Sequence, residues 1–487
     1  MKRKTSEPIT LLWFRRDLRI SDHAPLNAAL KKYKETKHKE KGATILPLYV
    51  LDNHSPNITK YGSASLWWLH HSLEVLINSL ANKGSKLLLR SGPTVDVIRE
   101  LLSEINIESI YFHHSVLPGE GDIETDLAEL CQQRKIECKR FKGELLFEPK
   151  NIATASGTPY KVFTPFWRTC LSQTRPSKPI ATPKAIPGPK RFPKTETLES
   201  WELLPKKPNW AAEFNELWQP GEEHVSDVLD VFIKDPIASY KKMRDYPSIK
   251  GTSKISPYLS FGNISIRELW HKVEGHEGAD FYQRELGWRE FCYHLISHWP
   301  EMIEEPFQEK FKNFTWEENE EFLKAWQQGK TGYPIIDAAM RQLWQTGWMH
   351  NRLRMVVGSF LVKNLRLHWH HGATWFWDTL LDADLANNTG GWQWVAGTGA
   401  DAAPYFRIFN PVTQSEKFDK DGVFIREFVP ELSNIPKKYI HNPSSAPKEV
   451  LKEAGVTLGK TYPKAIVDLK TSRQVALDAY TNLQNSE

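Results

Sequence analysis

At 487 residues the chain is too long for one ordinary hydrophobic core, so two domains are expected. Hydrophobic residues make up 40%, and no apolar run approaches the ~20 residues that span a bilayer, which argues against a membrane protein. The net charge of +5 and pI of about 8.7 are compatible with nucleic acid without demanding it.

The basic start, MKRKTSEP, lacks the apolar stretch of a secretory signal, so a cytoplasmic protein is expected. Short apolar runs at 9–14, 44–50, 86–90 and 109–112 predict strands, and amphipathic stretches at 61–83 and 95–105 predict helices between them. Alternating strands and helices read as a parallel α/β sheet with crossover connections. WFRRDLR stands after the first strand where a dinucleotide-binding GxGxxG would be, so this half need not hold the main nucleotide. Cys131, Cys138, Cys170 and Cys292 form no CxxC pair, which argues against both zinc and a disulfide framework. From 171 to 210 eight prolines predict an extended connector, and beyond about 210 the period becomes helical. Most of the 19 tryptophans fall in that second half, where a large core, stacking on planar ligands or electron transfer would each account for them.

Four segments of the helical half stand out. YKKMRDYPSIKGTSKIS, 240–256, places Gly-Thr-Ser before a helix, which suits an anion but also suits a plain N-cap. In YQRELGWREFCYH, 282–294, Glu285, Trp288, Arg289 and Cys292 share one helical face. That face suits a flat, polar-edged ligand, and equally a half-buried helix with an ion pair. His294 and His298 have metal-ligand spacing without a third ligand, so no metal is expected. In TGYPIIDAAMRQLWQTGWMHNRLRMVVGSFLVKNLRLHW, 331–369, Asn351 and Met355 share a face with Arg354 slightly aside, which would serve a base-like ligand and equally suits a plain amphipathic helix. DTLLDADLANNTGGWQWVAGTGADAAPYFRIFNP, 378–411, pairs acids, amides and glycines with Trp392 and Trp394, which should point different ways.

These segments, with WFRRDLRI near the start and FTPFWR at 163–168, resemble the photolyase/cryptochrome family over nearly the whole length and in family order. The resemblance implies an N-terminal α/β domain with a parallel five-stranded sheet and an all-α domain that binds FAD. Residues 1–140 would be the antenna-binding domain, 141–210 the connector and 211–487 the helical catalytic domain. Tyr240, Thr252, Ser253, Lys254, Ile255 and Ser256 would hold the FAD phosphates, with Arg244 nearby in the cofactor site. Arg354 and Asp382 would pair beside the isoalloxazine ring, with Ala383 and Asp384 along its polar edge. Asn388 matches the position facing flavin N5, where plant-type cryptochromes carry Asp.

The same resemblance implies a lesion pocket of Glu285, Trp288, Arg289, Asn351, Met355 and Trp394, with Arg352 and Gln414 meeting the surrounding DNA. Enzymes for (6-4) photoproducts place histidines where Asn351 and Met355 stand, so the implied substrate is a cyclobutane pyrimidine dimer in double-stranded DNA. The implied reaction is electron donation from light-excited reduced FAD to a flipped-out dimer. Trp392, Trp369 and Trp316 align with the family's electron-hopping chain. The alternative is a blue-light photoreceptor with a signalling role. A monomer is expected, with an antenna chromophore that is folate (methenyltetrahydrofolate) rather than deazaflavin.

Overall fold

The fold, a computed structural model, is described for residues 7–36, 42–173 and 175–485; the basic residues 1–6 lie outside it. Five strands form one parallel sheet: β1 (Ile9–Phe14), β2 (Thr44–Leu51), β3 (Leu88–Ser91), β4 (Ile107–His113) and β5 (Glu137–Phe141). Between them run α1 (Ala24–Thr36), α2 (Ser63–Asn82), α3 (Thr94–Glu104) and α4 (Pro118–Arg134). The spatial order is β3-β2-β1-β4-β5, so the winding direction reverses at β1. Every residue of β1 and β2 is buried, because helices cover both faces. Leu12 and Phe14 pack with Leu26, Trp68 and Leu73 of α1 and α2, whereas Ile9, Leu11 and Trp13 pack with Ile98, Leu101 and Leu127 of α3 and α4. A period of two thus feeds two cores.

The proline-rich stretch behaves as its composition predicts in one respect only. Residues 175–198 contain no helix or strand, yet the segment is strapped to the sheet. Ile45 N–H donates to the Pro187 carbonyl at 2.8 Å, and Glu196 N–H to that of Leu89 at 3.0 Å. Within the region expected as connector, Phe163–Ser172 is a helix instead. Its Phe163 stacks on Trp288 at 3.8 Å and its Phe166 meets Phe291 at 5.1 Å, so this helix belongs to the core of the helical half.

That half is built around the Ala279–His298 helix, packed against the Leu385–Ala396 helix. The two approach closely where Gly390 faces Cys292: a Cβ at 390 would stand 2.7 Å from the Cys292 sulfur. No described helix is long and apolar enough to cross a membrane.

Candidate active site

The four segments singled out in the sequence converge on one large cavity of about 570 Å³. Its lining mixes apolar side chains, Leu286, Phe376 and Trp392 among them, with polar and charged ones. On one side stand Thr252 to Ser256, preceding the short Ser256–Ser260 helix. Lys254 has φ 53, a left-handed conformation uncommon for a side-chain-bearing residue, and lies over the Trp348 ring at 5.2 Å. Burial pushes its ammonium below the ordinary lysine range, and among the described residues it forms no ion pair. A ligand anion would restore what burial removes.

Tyr240 and Arg244 continue this lining from the Pro236–Met243 helix and its C-cap. Arg244 pairs with Glu285, its Nη2 standing 2.9 Å from Oε2. Burial works against the guanidinium, but the Glu285 carboxylate outweighs it and holds Arg244 above its usual value. Glu285, Trp288, Arg289 and Cys292 all line the cavity from one helical face, as their spacing predicts. Arg289 turns its charge away, however. Its Nη1 lies 3.2 Å from both the Glu144 carbonyl and Glu290 Oε1, and its guanidinium sits over Tyr293. The charge therefore serves the wall behind the cavity.

The Asn351–Ser359 helix supplies Asn351, Arg354 and Met355 to the lining. Arg354 Nη2 bonds Asp382 at 2.8 and 3.0 Å, while its Nε donates to the Met349 carbonyl at 2.9 Å. Asp382, Ala383 and Asp384 form the adjoining edge. Asp384 is largely engaged by protein: Oδ1 accepts Asn387 N–H at 2.9 Å, capping the next helix, and Oδ2 accepts the Tyr293 hydroxyl at 2.5 Å. Asn388 Nδ2 donates to the Ala373 carbonyl at 3.0 Å, which orients the amide beside the cavity. Trp392 is buried and Trp394 half-buried, and both touch the cavity. A Cβ at Gly391 would meet nothing within 4 Å, so a ligand can come close to this backbone.

Four predicted site residues stand outside the lining. Arg352 pairs with Asp245 at 2.9 Å and lies over Phe418; Gln414 is on the Pro411–Phe418 helix beside it. Trp369 is buried in the 369–379 helix, and half-buried Trp316 is 5.1 Å from His368, the neighbour of Trp369. Two residues near the site went unassigned in the sequence. Trp326 comes within 6.2 Å of Trp392, and Arg16 reaches Asp384 at 3.1 Å from the other half. WFRRDLR marked Arg16 only as family pattern, and the flank of Trp326 carries no motif at all.

Of the histidine pair, His294 is buried and His298 half-buried. His294 Nε2 accepts Tyr160 N–H at 3.1 Å, and His298 meets its ring at 4.7 Å. Elsewhere, His23 and His113 bond the same oxygen of buried Asp17, at 2.9 and 2.6 Å.

Comparison with known proteins agrees with this arrangement. Residues 281–482 match the FAD binding domain of DNA photolyase, and residues 10–187 match the DNA photolyase family. The chain is 44% identical to a deoxyribodipyrimidine photo-lyase of Agrobacterium fabrum, covering 98% of each. It is 34% identical to cryptochrome-2 of Arabidopsis thaliana, over 98% of this chain and 79% of that protein. Among solved structures, a bacterial class III photolyase from Agrobacterium tumefaciens superposes with a TM-score of 0.93 at 44% identity, covering 99% of each chain. With the sheet, the helical cavity and full-length similarity in agreement, the chain belongs to the photolyase/cryptochrome family.

Proposed function

We propose that this protein repairs cyclobutane pyrimidine dimers in double-stranded DNA, driven by light, with FAD in the large cavity. One observation carries the reading. Glu285, Trp288, Asn351, Met355 and Trp394 line the same cavity as Asn388 and the Arg354–Asp382 pair. A lesion and a redox cofactor would share one chamber.

The residues present suit FAD. Lys254, Thr252, Ser253 and Ser256 offer a cation and hydroxyls to phosphates, and Arg354, Asp382 and Asn388 offer polar groups to a ring edge. When bound, the light-excited reduced flavin supplies an electron and takes it back. The protein's own part is binding and orientation. A dimer leaves the duplex at lower cost than a normal base because its stacking is already damaged. Trp288 and Trp394 then offer it aromatic walls. Glu285 would face the carbonyl edge where negative charge develops, donating a hydrogen bond there through a proton that it carries or shares when the lesion is bound. Its pairing with Arg244 means that the arriving lesion has to loosen that contact or share it. Trp392, Trp369 and Trp316 would pass electrons inward to restore the reduced flavin.

An antenna, folate rather than deazaflavin, is proposed for the α/β half. Trp13, Tyr49, Tyr61 and Arg15 line a hollow where the winding reverses, the usual ligand position in such sheets. Its enclosed volume is only about 70 Å³, so a chromophore would lie across the opening.

Illuminating the reduced holoprotein with dimer-containing duplex DNA should restore the pyrimidines. Unchanged lesion counts alongside normal flavin photoreduction would favour the photoreceptor reading, which the cryptochrome similarity keeps in view.

A further inference from the structure

WFRRDLR turns two neighbouring guanidiniums in different directions at the end of β1. Arg15 stays in the α/β half, where it bonds Glu120 at 2.5 Å and Glu124 at 2.6 Å and covers the Trp13 ring. Arg16 crosses into the helical half. Its Nε donates to the Ser260 carbonyl at 2.9 Å, and its Nη2 lies 2.8 Å from Ser260 Oγ and 3.1 Å from Asp384 Oδ2. Ser260 Oγ in turn donates to the Ala383 carbonyl at 3.0 Å. One guanidinium thereby ties the end of the 256–260 helix to the 382–384 segment. Ser260, Ala383 and Asp384 all line the large cavity, whereas Arg16 stands behind them.

Asp384 passes this constraint onward in both directions. Its Oδ1 and its carbonyl accept the N–H groups of Asn387 and Asn388, at 2.9 and 2.8 Å, and so fix the start of the helix bearing Asn388 and Trp392. Two residues upstream, Asp382 is held against Arg354. Burial alone would raise the Asp384 carboxyl, but Arg16, Arg289 and the Tyr293 hydroxyl outweigh it and keep the group below its ordinary range. A lysine at position 16 would keep the charge, but its single ammonium could not reproduce the rigid fork.

We propose that Arg16, supplied by the α/β half, is a positioning residue of the flavin site, fixing where Asp382 and Asn388 stand. The inference rests on FAD occupying the cavity, and it makes the α/β half part of the flavin site as well as a carrier for any antenna.

Reconstitution of apoprotein with FAD in the dark tests it, reading flavin affinity and midpoint potential. Arg16→Met should weaken FAD binding at least tenfold, about 1.4 kcal/mol, and shift the potential, with Arg16→Lys recovering only part of the affinity. Wild-type affinity and potential in Arg16→Met would overturn the proposal. Should Arg16→Met not fold, Arg16→Lys, Tyr293→Phe and their double variant decide. Both changes act through Asp384, so their losses in FAD affinity must be non-additive, and additive losses overturn the idea. A wild-type protein that binds FAD yet repairs no dimers would instead sink the repair reading alone.

Discussion

Glu285 illustrates how much rests on a single side chain. It is bound to Arg244, and both groups line the cavity. A charge-assisted hydrogen bond contributes about 1.5–3 kcal/mol, so Glu285→Ala should lower repair about tenfold or more. FAD content should stay unchanged. Measuring repair yield and bound flavin on one sample checks this, and full repair by the variant removes Glu285 from the reaction. Trp392 makes a different case. Buried at 3% exposure and 5.0 Å from Phe376, it stands between the cavity and the interior. Trp392→Phe should abolish light-driven reduction of oxidised flavin while enzyme reduced beforehand still repairs. Flash photolysis and a repair assay separate the two, and photoreduction at the wild-type rate would take Trp392 out of the hopping chain.

At the scale of elements, close helix packing sets the distances that electron transfer would use. The Trp369–Thr379 helix meets the Leu385–Ala396 helix at Gly372, where a Cβ would stand 2.0 Å from the Trp392 ring. Gly372 is one helical turn after Trp369, so this contact brings the two indoles into the same neighbourhood. Gly372→Ala should cost about 1–3 kcal/mol through overpacking and slow photoreduction by displacing the ring. Denaturant unfolding and flavin bleaching under blue light measure the two effects, and a variant with wild-type values for both would show that the packing relaxes freely. Helical periodicity predicted that Glu285 and Trp288 share a face, because 3.6 residues per turn is a local property. It carried no sign that Phe163, more than a hundred residues away, stacks on Trp288.

For the whole molecule, the 141–210 segment is joined to the helical half at a buried carboxyl. Glu290, beside the cavity wall, accepts the N–H groups of Leu146 and Phe147 at 2.9 and 3.0 Å. Burial pushes its carboxyl from 4.5 up to about 7, against the pull of Arg289. The folded state therefore holds a proton that the unfolded chain releases between those values. Its stabilisation is present in full below 4.5 and declines as pH rises through about 7. Glu290→Gln should flatten the dependence of Tm on pH across that window. Thermal melts at a series of pH values test this, and an unaltered slope would assign the dependence to other groups.

The sequence by itself determined the alternation of strands and helices, the absence of a GxGxxG and the faces that gather Glu285 with Trp288 and Asn351 with Met355. These follow from backbone periodicity and local composition, which act over a few residues. Its resemblance to a known family added the expected flavin and lesion positions. Only the tertiary structure brought the four segments around one cavity, turned Arg289 away from it and carried Arg16 across to Asp384. Those outcomes depend on contacts between residues far apart in the chain, 145 positions for Arg289 and Glu144 and 368 for Arg16 and Asp384, where burial and charge pairing choose the partner and no local pattern records the choice.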